Sequence, residues 1–280
     1  MSDVREPAVA GQFYAGTATE LRDQIERAFS HPMGPGGLQA SDPDASIPRG
    51  LVSPHAGYPY SGPVAAHGFD RLHVGGRPEA AVIVGPNHSG RGEPLAISAV
   101  DAWETPMGRV PIADDLRSAL TSVDGIAIDE ATHAAEHSLE VQVPFLQYLF
   151  ADPVPIVPIV LTHQDRRRVE TLSTALADLQ SEHEDIVVIA STDLTHYEPA
   201  SRARERDEPI RRAIRDLDAD AVMEAAAAGH TMCGAAPTAA MLEAAAAGGA
   251  SVGAVLQYGT SGDTAGGSDS VVGYVAAAVE

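Results

Sequence analysis

Lysine is absent from this 280-residue chain: all 18 basic side chains are arginine, against 39 acidic ones, for a formal net charge of -21. Such a surface repels nucleic acid and anionic membranes. Without lysine, no phosphate-binding loop of the usual kind can be built. An acidic, Lys-free composition rich in Ala, Asp and Gly matches a halophilic setting, where ionic screening removes most of the self-repulsion. Cysteine is nearly absent too. With only Cys233, no intrachain disulfide can form and nothing points to an oxidising compartment, so a cytoplasmic location is expected. No stretch of 18 apolar residues occurs, and the opening MSDVREPAVAGQFYAG carries charges where a signal peptide needs an apolar run. No entry into a membrane is expected. Aromatics make up 5% of the chain and apolar residues 44%, so the core must be packed mainly from Ala, Val, Leu and Ile.

The length suits one large α/β domain or two small ones. Residues 19–29 place Leu21, Ile25 and Phe29 at four-residue spacing, which predicts a first amphipathic helix with Thr19 as its cap. Residues 31–49 are rich in Gly, Pro, Ser and Asp and read as a flexible surface loop. Four short apolar runs follow, in RGLVSPHAGY, AAVIVGPNHSG, VPIVPIVLTH and DIVVIASTDLTHY, each ending in polar residues. With helical patterns between several of them, they predict βα units around a largely parallel sheet with helices on both faces. Two Ala-rich runs, DADAVMEAAAAGH and PTAAMLEAAAAGG, predict helices stopped by glycine. Two last strands, joined by a Gly, Ser and Asp loop, would complete the sheet.

His55 and His88 each follow an apolar strand and precede a glycine-containing turn, and the strand IVVIA delivers Asp193 and His196 in the same way. Ligands of open α/β sheets bind outside the carboxyl ends of the strands, so these side chains can converge. Cys233 stands just before the second Ala-rich helix, where the helix dipole favours a thiolate. Two neutral imidazoles and one thiolate form a three-ligand set with room for water or substrate. Each residue also has a plainer explanation, as a hydrogen-bonded loop histidine or a small buried hydrophobe. In ATHAAEHSLEVQVPFLQYLF, His133 and His137 are four apart, as are Glu136 and Glu140. They would share helix faces as a second cluster, or Glu136, Ser138 and Glu140 would simply open a helix whose buried stripe is Val141, Phe145 and Leu149. Trp103 either lines a pocket or covers the sheet edge, and Tyr58 and Tyr60 either flank a substrate or pack. Ser261 and Asp263 sit in a glycine-rich loop that matches no nucleotide fingerprint.

The ordered set PAVAGQFY, PHAGYPYSG, GPNHSG, EHSLEVQVPFLQY, STDLTHY, TMCGAAP, YGTSGD and VVGYVA resembles the MEMO family, whose archaeal and bacterial members are often called AmmeMemoRadiSam system protein B. The resemblance runs along nearly the whole chain and implies one domain over residues 1–280. It implies a three-layer α/β/α sandwich around a largely parallel or mixed sheet, similar to class III extradiol dioxygenases, which open catechol rings with non-haem iron(II). Those enzymes bind iron through two histidines and a glutamate. The family pattern carried onto this chain gives His55, His88 and Cys233 as ligands of one divalent ion, iron first, with copper or zinc as alternatives because a thiolate suits them. His196 would correspond to the acid/base histidine, with Asp193 orienting it or approaching the metal. Three functions follow as expectations. One is a dioxygenase-like redox enzyme acting on a small molecule. The second is a zinc hydrolase with His196 or His137 as general base. The third is a module that holds a peptide or metal for radical SAM and AMMECR1-like partners.

Overall fold

The apolar runs become strands where their patterning predicts them. The computed structural model describes residues 3–280, beginning with β1 (Val4–Arg5) and α1 (Ala18–Ser30). Leu21, Ile25 and Phe29 form the buried stripe of α1, but its cap is Thr17, whose hydroxyl accepts from the Glu20 amide; Thr19 lies inside the first turn. Residues 31–49 contain neither helix nor strand and are tethered at Gln39, whose amide and side chain both donate to the Asp70 carboxylate.

Next come β2 (Gly50–Ser53), α2 (Tyr58–Gly75), β3 (Ala80–Pro86), β4 (Leu95–Ile97), β5 (Ala102–Thr105), β6 (Gly108–Pro111), α3 (Asp114–Thr121) and β7 (Ala127–Ile128). Two single 3-10 turns, Glu130–Thr132 and Glu140–Gln142, lead into a short α4 (Val143–Leu149). The chain continues through β8 (Ile156–Leu161), α5 (Arg166–Glu182), β9 (Ile186–Ser191), β10 (His196–Glu198), α6 (Ala200–Arg215), α7 (Ala219–Ala227) and α8 (Ala235–Ala247). It closes with β11 (Gly253–Thr260), α9 (Ser261–Ala265) and β12 (Val271–Val279). The Ala-rich helices α7 and α8 stop as predicted, with Gly229 and Gly249 in the left-handed region that glycine tolerates.

One mixed sheet of nine strands runs in the order β10-β12-β2-β9-β3-β8-β4-β7, with β11 on the far side of β12. Its centre, β2-β9-β3-β8, is parallel, while β12 joins β2 and β4 joins β8 antiparallel. Side chains alternate across both faces, and both faces are buried. Val82, Val84, Val188 and Ile159 meet α3, α5, α6, α7 and α8, whereas Ile83, Val187 and Ile189 meet α1, α2 and α4. These are the three layers of an α/β sandwich. α8 is packed almost all round by alanines, so a chain poor in aromatics brings helix and sheet close together. No described helix is long and apolar enough to cross a membrane.

A second sheet, β1-β5-β6, lies beside the 130–142 segment. From β1, Arg5 reaches a wholly buried salt bridge with Glu140 at 2.7 Å and donates to the carbonyls of His133 and Glu136 at 2.8 Å each. Its guanidinium lies 4.1 Å from the ring centre of Trp103. Trp103 is therefore a core residue, its indole N–H donating to Ser98. Glu140 also accepts from the Ala8 and Val9 amides and the Tyr14 hydroxyl. A buried pair with all its hydrogen bonds met is costly to break from one side, by about 3–5 kcal/mol. Arg5→Met is expected to lose about that much in urea unfolding. The Arg5→Met, Glu140→Gln double variant should lose less than the sum of the two single variants. Additive losses would mean the two side chains act independently.

Candidate metal centre

Parallel pairing aligns the ends of three strands. Ser53 pairs with Ser191, and Val84 with Ala190, so β2, β9 and β3 finish at one edge. The residues that follow them bring His55, Asp193 and His88 together, with the His55 and His88 ring centres 5.3 Å apart. Cys233 arrives from the α7–α8 connection. It can come close because residue 234 is glycine: a Cβ there would lie 2.4 Å from the Ser191 carbonyl oxygen and 2.7 Å from Thr192 Cβ. Cys233 Sγ consequently sits 3.0 Å from His55 Nε2 and accepts from the Asp193 amide at 3.1 Å. One donor atom from each of His55, His88 and Cys233 falls within 4.8 Å of the other two.

Hydrogen bonds decide which nitrogen each imidazole presents. Ser191 gives its hydroxyl proton to the Ser138 carbonyl at 2.7 Å and accepts from Gln142 Nε2 at 2.9 Å. The 2.8 Å contact between His55 Nδ1 and Ser191 Oγ must then be donated by the imidazole, which leaves Nε2 bare toward Cys233. His88 Nδ1 donates to Glu136 Oε1 at 2.9 Å, so it too is free at Nε2. Glu136 is fully buried and also accepts from the amides of His88 and Ser138. Burial works to raise the Glu136 pKa, but the hydrogen bond from the His88 ring, with those from the Ser138 and His88 amides, prevails and holds it below the usual carboxylate range.

Burial, with His137 and His88 nearby, pushes His55 well below the ordinary imidazole range, so it is a neutral donor. The expectation of a Cys233 thiolate is corrected. Burial pushes the thiol well up and the Asp193 charge adds to this, outweighing the start of α8. A cation would reverse that balance, since metal binding displaces the proton. Two neutral imidazoles and one sulfur, at bond lengths of about 2.0–2.3 Å, fit an ion site with positions left open. His55, His88 and Cys233 thus form a candidate metal-binding group.

His88, Glu136 and His137 form a second grouping of donor atoms. The His88 and His137 rings are stacked, 4.5 Å apart at 27°, so their lone pairs run side by side, and the Glu136 oxygens are already filled. That grouping is a hydrogen-bonded support. The shared helix face that was one reading of His133 and His137 does not form, because residues 133–139 are turns and coil between two 3-10 turns. His133 is buried beside Trp103, while Val141, Phe145 and Leu149 form the predicted apolar stripe.

A cavity of about 450 Å³ opens over the group, lined by His55, His88, His137, Asp193 and His196. His196 Nδ1 donates to the Thr231 carbonyl at 2.9 Å, leaving Nε2 as an acceptor. Asp193 accepts from the His55 amide at 2.8 Å, and burial raises its carboxyl to about 6. Tyr58 packs, donating to the Val141 carbonyl, whereas Tyr60 lines the cavity. Ser261 lines it too, from α9 rather than from a flexible loop, and Asp263 closes a capping box with Thr260 and pairs with Arg204. Ser191, Gln142 and Phe13 were not picked out as site residues by spacing, and Glu136 was picked out only as a neighbour of His133 and His137, not as the support of His88. Their partners lie 48 or more residues away in sequence, except for Ser138, so no local pattern marks them.

Burial depresses His133 to about 3, with the Arg5 charge adding to this, against about 6.5 for an unfolded histidine. Between those values the unfolded chain takes up a proton that the folded chain cannot. Stability therefore rises with pH across that window and is lost as pH falls, by about 1.4 kcal/mol per pH unit for each such group. His55 and His137, the latter held at about 4 mainly by burial, add to the slope. His133→Gln should reduce the slope of unfolding free energy between pH 6 and 5 by about one proton's worth. An unchanged slope would show that His133 titrates normally.

A family model described as Memo-like protein matches residues 5–278. A MEMO1 family protein of Methanopyrus kandleri is 45% identical over 276 residues, covering 97% of each chain. One from Metallosphaera sedula is 42% identical over 277 residues, covering 97% of this chain and 98% of that one. One from Ignicoccus hospitalis is 42% identical over 285 residues, covering 98% and 97%. Among solved structures, an uncharacterized protein from Escherichia coli K12 aligns with a TM-score of 0.53 at 17% identity, over 80% of this chain and 98% of its own, which shows a shared fold. Since the match spans β2, β3, β9 and the loop before α8, all the elements that carry the site, the chain belongs to the Memo family.

Proposed function

We propose that this protein holds one divalent metal ion through His55 Nε2, His88 Nε2 and Cys233 Sγ, and serves as a dioxygenase-like redox enzyme with iron(II) as the ion. The observation that carries the reading is the fixed tautomer of both histidines. Each gives its Nδ1 proton to a buried acceptor, so two bare nitrogens converge with a sulfur. When bound, the ion supplies a Lewis-acidic, redox-active centre. The chain's own part is positional. Glu136 orients His88, and Ser191 orients His55. His196 Nε2 is the group that takes or returns a proton, with Asp193 and His137 beside the same cavity.

The sulfur favours a second reading. A thiolate is a softer donor than a carboxylate and suits zinc or copper(I) as well as iron. With zinc, the same His196, or His137, would serve as general base in hydrolysis.

Anomalous scattering at the iron, copper and zinc edges on untreated crystals tests both. One iron peak among the three side chains is expected. Zinc in its place would favour hydrolysis, and no metal at all would end the reading. Glu136→Gln should weaken metal affinity by about 10–100-fold, measured by competition with a chelator. Cys233→Ser should lower the bound metal per chain well below one; full occupancy would remove the sulfur from the ligand set.

A further inference from the structure

Cys233 and His196 both depend on irregular backbone. Residues 192–195, which lead into His196, and residues 230–234, which carry Cys233, contain neither helix nor strand. Side chains that must meet a target to within about 0.5 Å need such segments held from behind. Asp207, near the middle of α6, touches both segments. It is wholly buried, and its Oδ1 accepts from the Thr195 amide at 3.0 Å and the Thr195 hydroxyl at 2.6 Å and lies 3.1 Å from His230 Nε2. Its Oδ2 accepts from the Tyr258 hydroxyl at 2.7 Å and faces Gly273 of β12, where a Cβ would collide with that oxygen.

The partners of His230 fix its tautomer. Nδ1 accepts from the Met232 amide at 3.0 Å, so the ring proton is on Nε2 and is donated to Asp207. The imidazole thus bends the loop on one side and ties it to α6 on the other. Next along the chain, Thr231 takes two bonds from His196: its hydroxyl accepts from the His196 amide and its carbonyl from Nδ1, each at 2.9 Å. The sulfur follows two residues later, and the Cys233 amide donates to the Asp193 carbonyl at 3.2 Å. Arg206, beside Asp207, adds parallel ties, donating to the Gly229 carbonyl at 2.7 Å and pairing with Glu198 at 3.1 Å. Packing alone does not call for this cluster, since apolar side chains of the same shape fill such a space at no loss of stability.

We infer that Asp207 and His230 are positioning residues for the site: through them one carboxylate fixes the 230–233 segment against the 193–196 segment, and so sets both the Cys233 sulfur and His196 Nε2. Glu136 does the same for the two imidazole ligands from the other face of the sheet. The part that concerns Cys233 rests on the proposed metal site. The part that concerns His196 needs no ion.

Three variants of the full chain test it. In His230→Asn the shorter side chain still accepts from the Met232 amide, as asparagine does in turns, but does not reach Asp207. Asp207→Ala removes the acceptor, and Asp207→Asn keeps an oxygen for Thr195 and His230 while its amide group turns to Tyr258. Nitrogen-15 spectra of the histidine rings in metal-free protein should show His196 as a single Nδ1–H tautomer in the wild type and Asp207→Asn. Both tautomers should appear in His230→Asn and Asp207→Ala. Should Asp207→Ala fail to fold, His230→Asn decides, because Asp207 keeps its other donors there. With zinc as a redox-silent probe and a competing chelator, His230→Asn should weaken binding by about tenfold. In a Cys233→Ser background the same change should cost less than about twofold, because the sulfur it acts through is gone. A single His196 tautomer in His230→Asn, or an equal loss of zinc affinity with and without Cys233, would overturn the inference. The two readings fail separately. Wild-type protein that binds no zinc, while His196 loses its single tautomer in His230→Asn, defeats the metal centre and leaves the positioning of His196 standing. Wild-type protein that binds zinc with an affinity His230→Asn leaves unchanged does the reverse.

Discussion

A buried carboxylate, Glu136, holds the site in register. Its two oxygens accept from the imidazole and amide of His88 and from the amide of Ser138, so the loop after β3 and the segment before α4 share one anion. Leaving such a charge in the interior without partners would be costly. With three donors it becomes a clamp. The same segment carries Ser138 and Gln142, which fix Ser191 and, through it, His55. Residues 136–142 therefore set both imidazoles, and Glu140 anchors that segment to Arg5.

Much of this architecture is legible in the residues. The strands are continuous apolar runs because both faces of the sheet are covered, and that makes them visible without alternation. The histidines at their ends could be read as convergent because parallel strands finish on one edge. The helix expected over residues 136–149 is where the reading stops short. Pro144 has no amide proton and its ring crowds the carbonyl four residues earlier, which disfavours an α-helix running through from Glu140. The backbone makes a single 3-10 turn there instead, Glu140–Gln142, and Glu136 and Glu140 give their carboxylates to distant partners. Proline was the available signal. The partners were not, because nothing near Glu136 in the chain names His88.

The state of Cys233 shows a related limit. Position before a helix favours a thiolate, and that much is local. The opposing effects, burial of the sulfur and the charge of Asp193, come from the tertiary fold. A scarcity of large side chains is what permits this crowding. Gly85, whose Cβ would meet Ser138 Oγ at 2.8 Å, and Gly234 let three segments approach one another more closely than ordinary side chains allow.

The order of the central strands carries one further consequence. β9 lies between β2 and β3, although it is made some hundred residues after them. A nascent chain that has released only its first half has His55 and His88 but lacks the strand that spaces them, and the sulfur is later still. No early fragment can offer the complete ligand set. Assembly of all three candidate donors is thereby confined to a chain extended past Cys233, with β9 already inserted between β2 and β3.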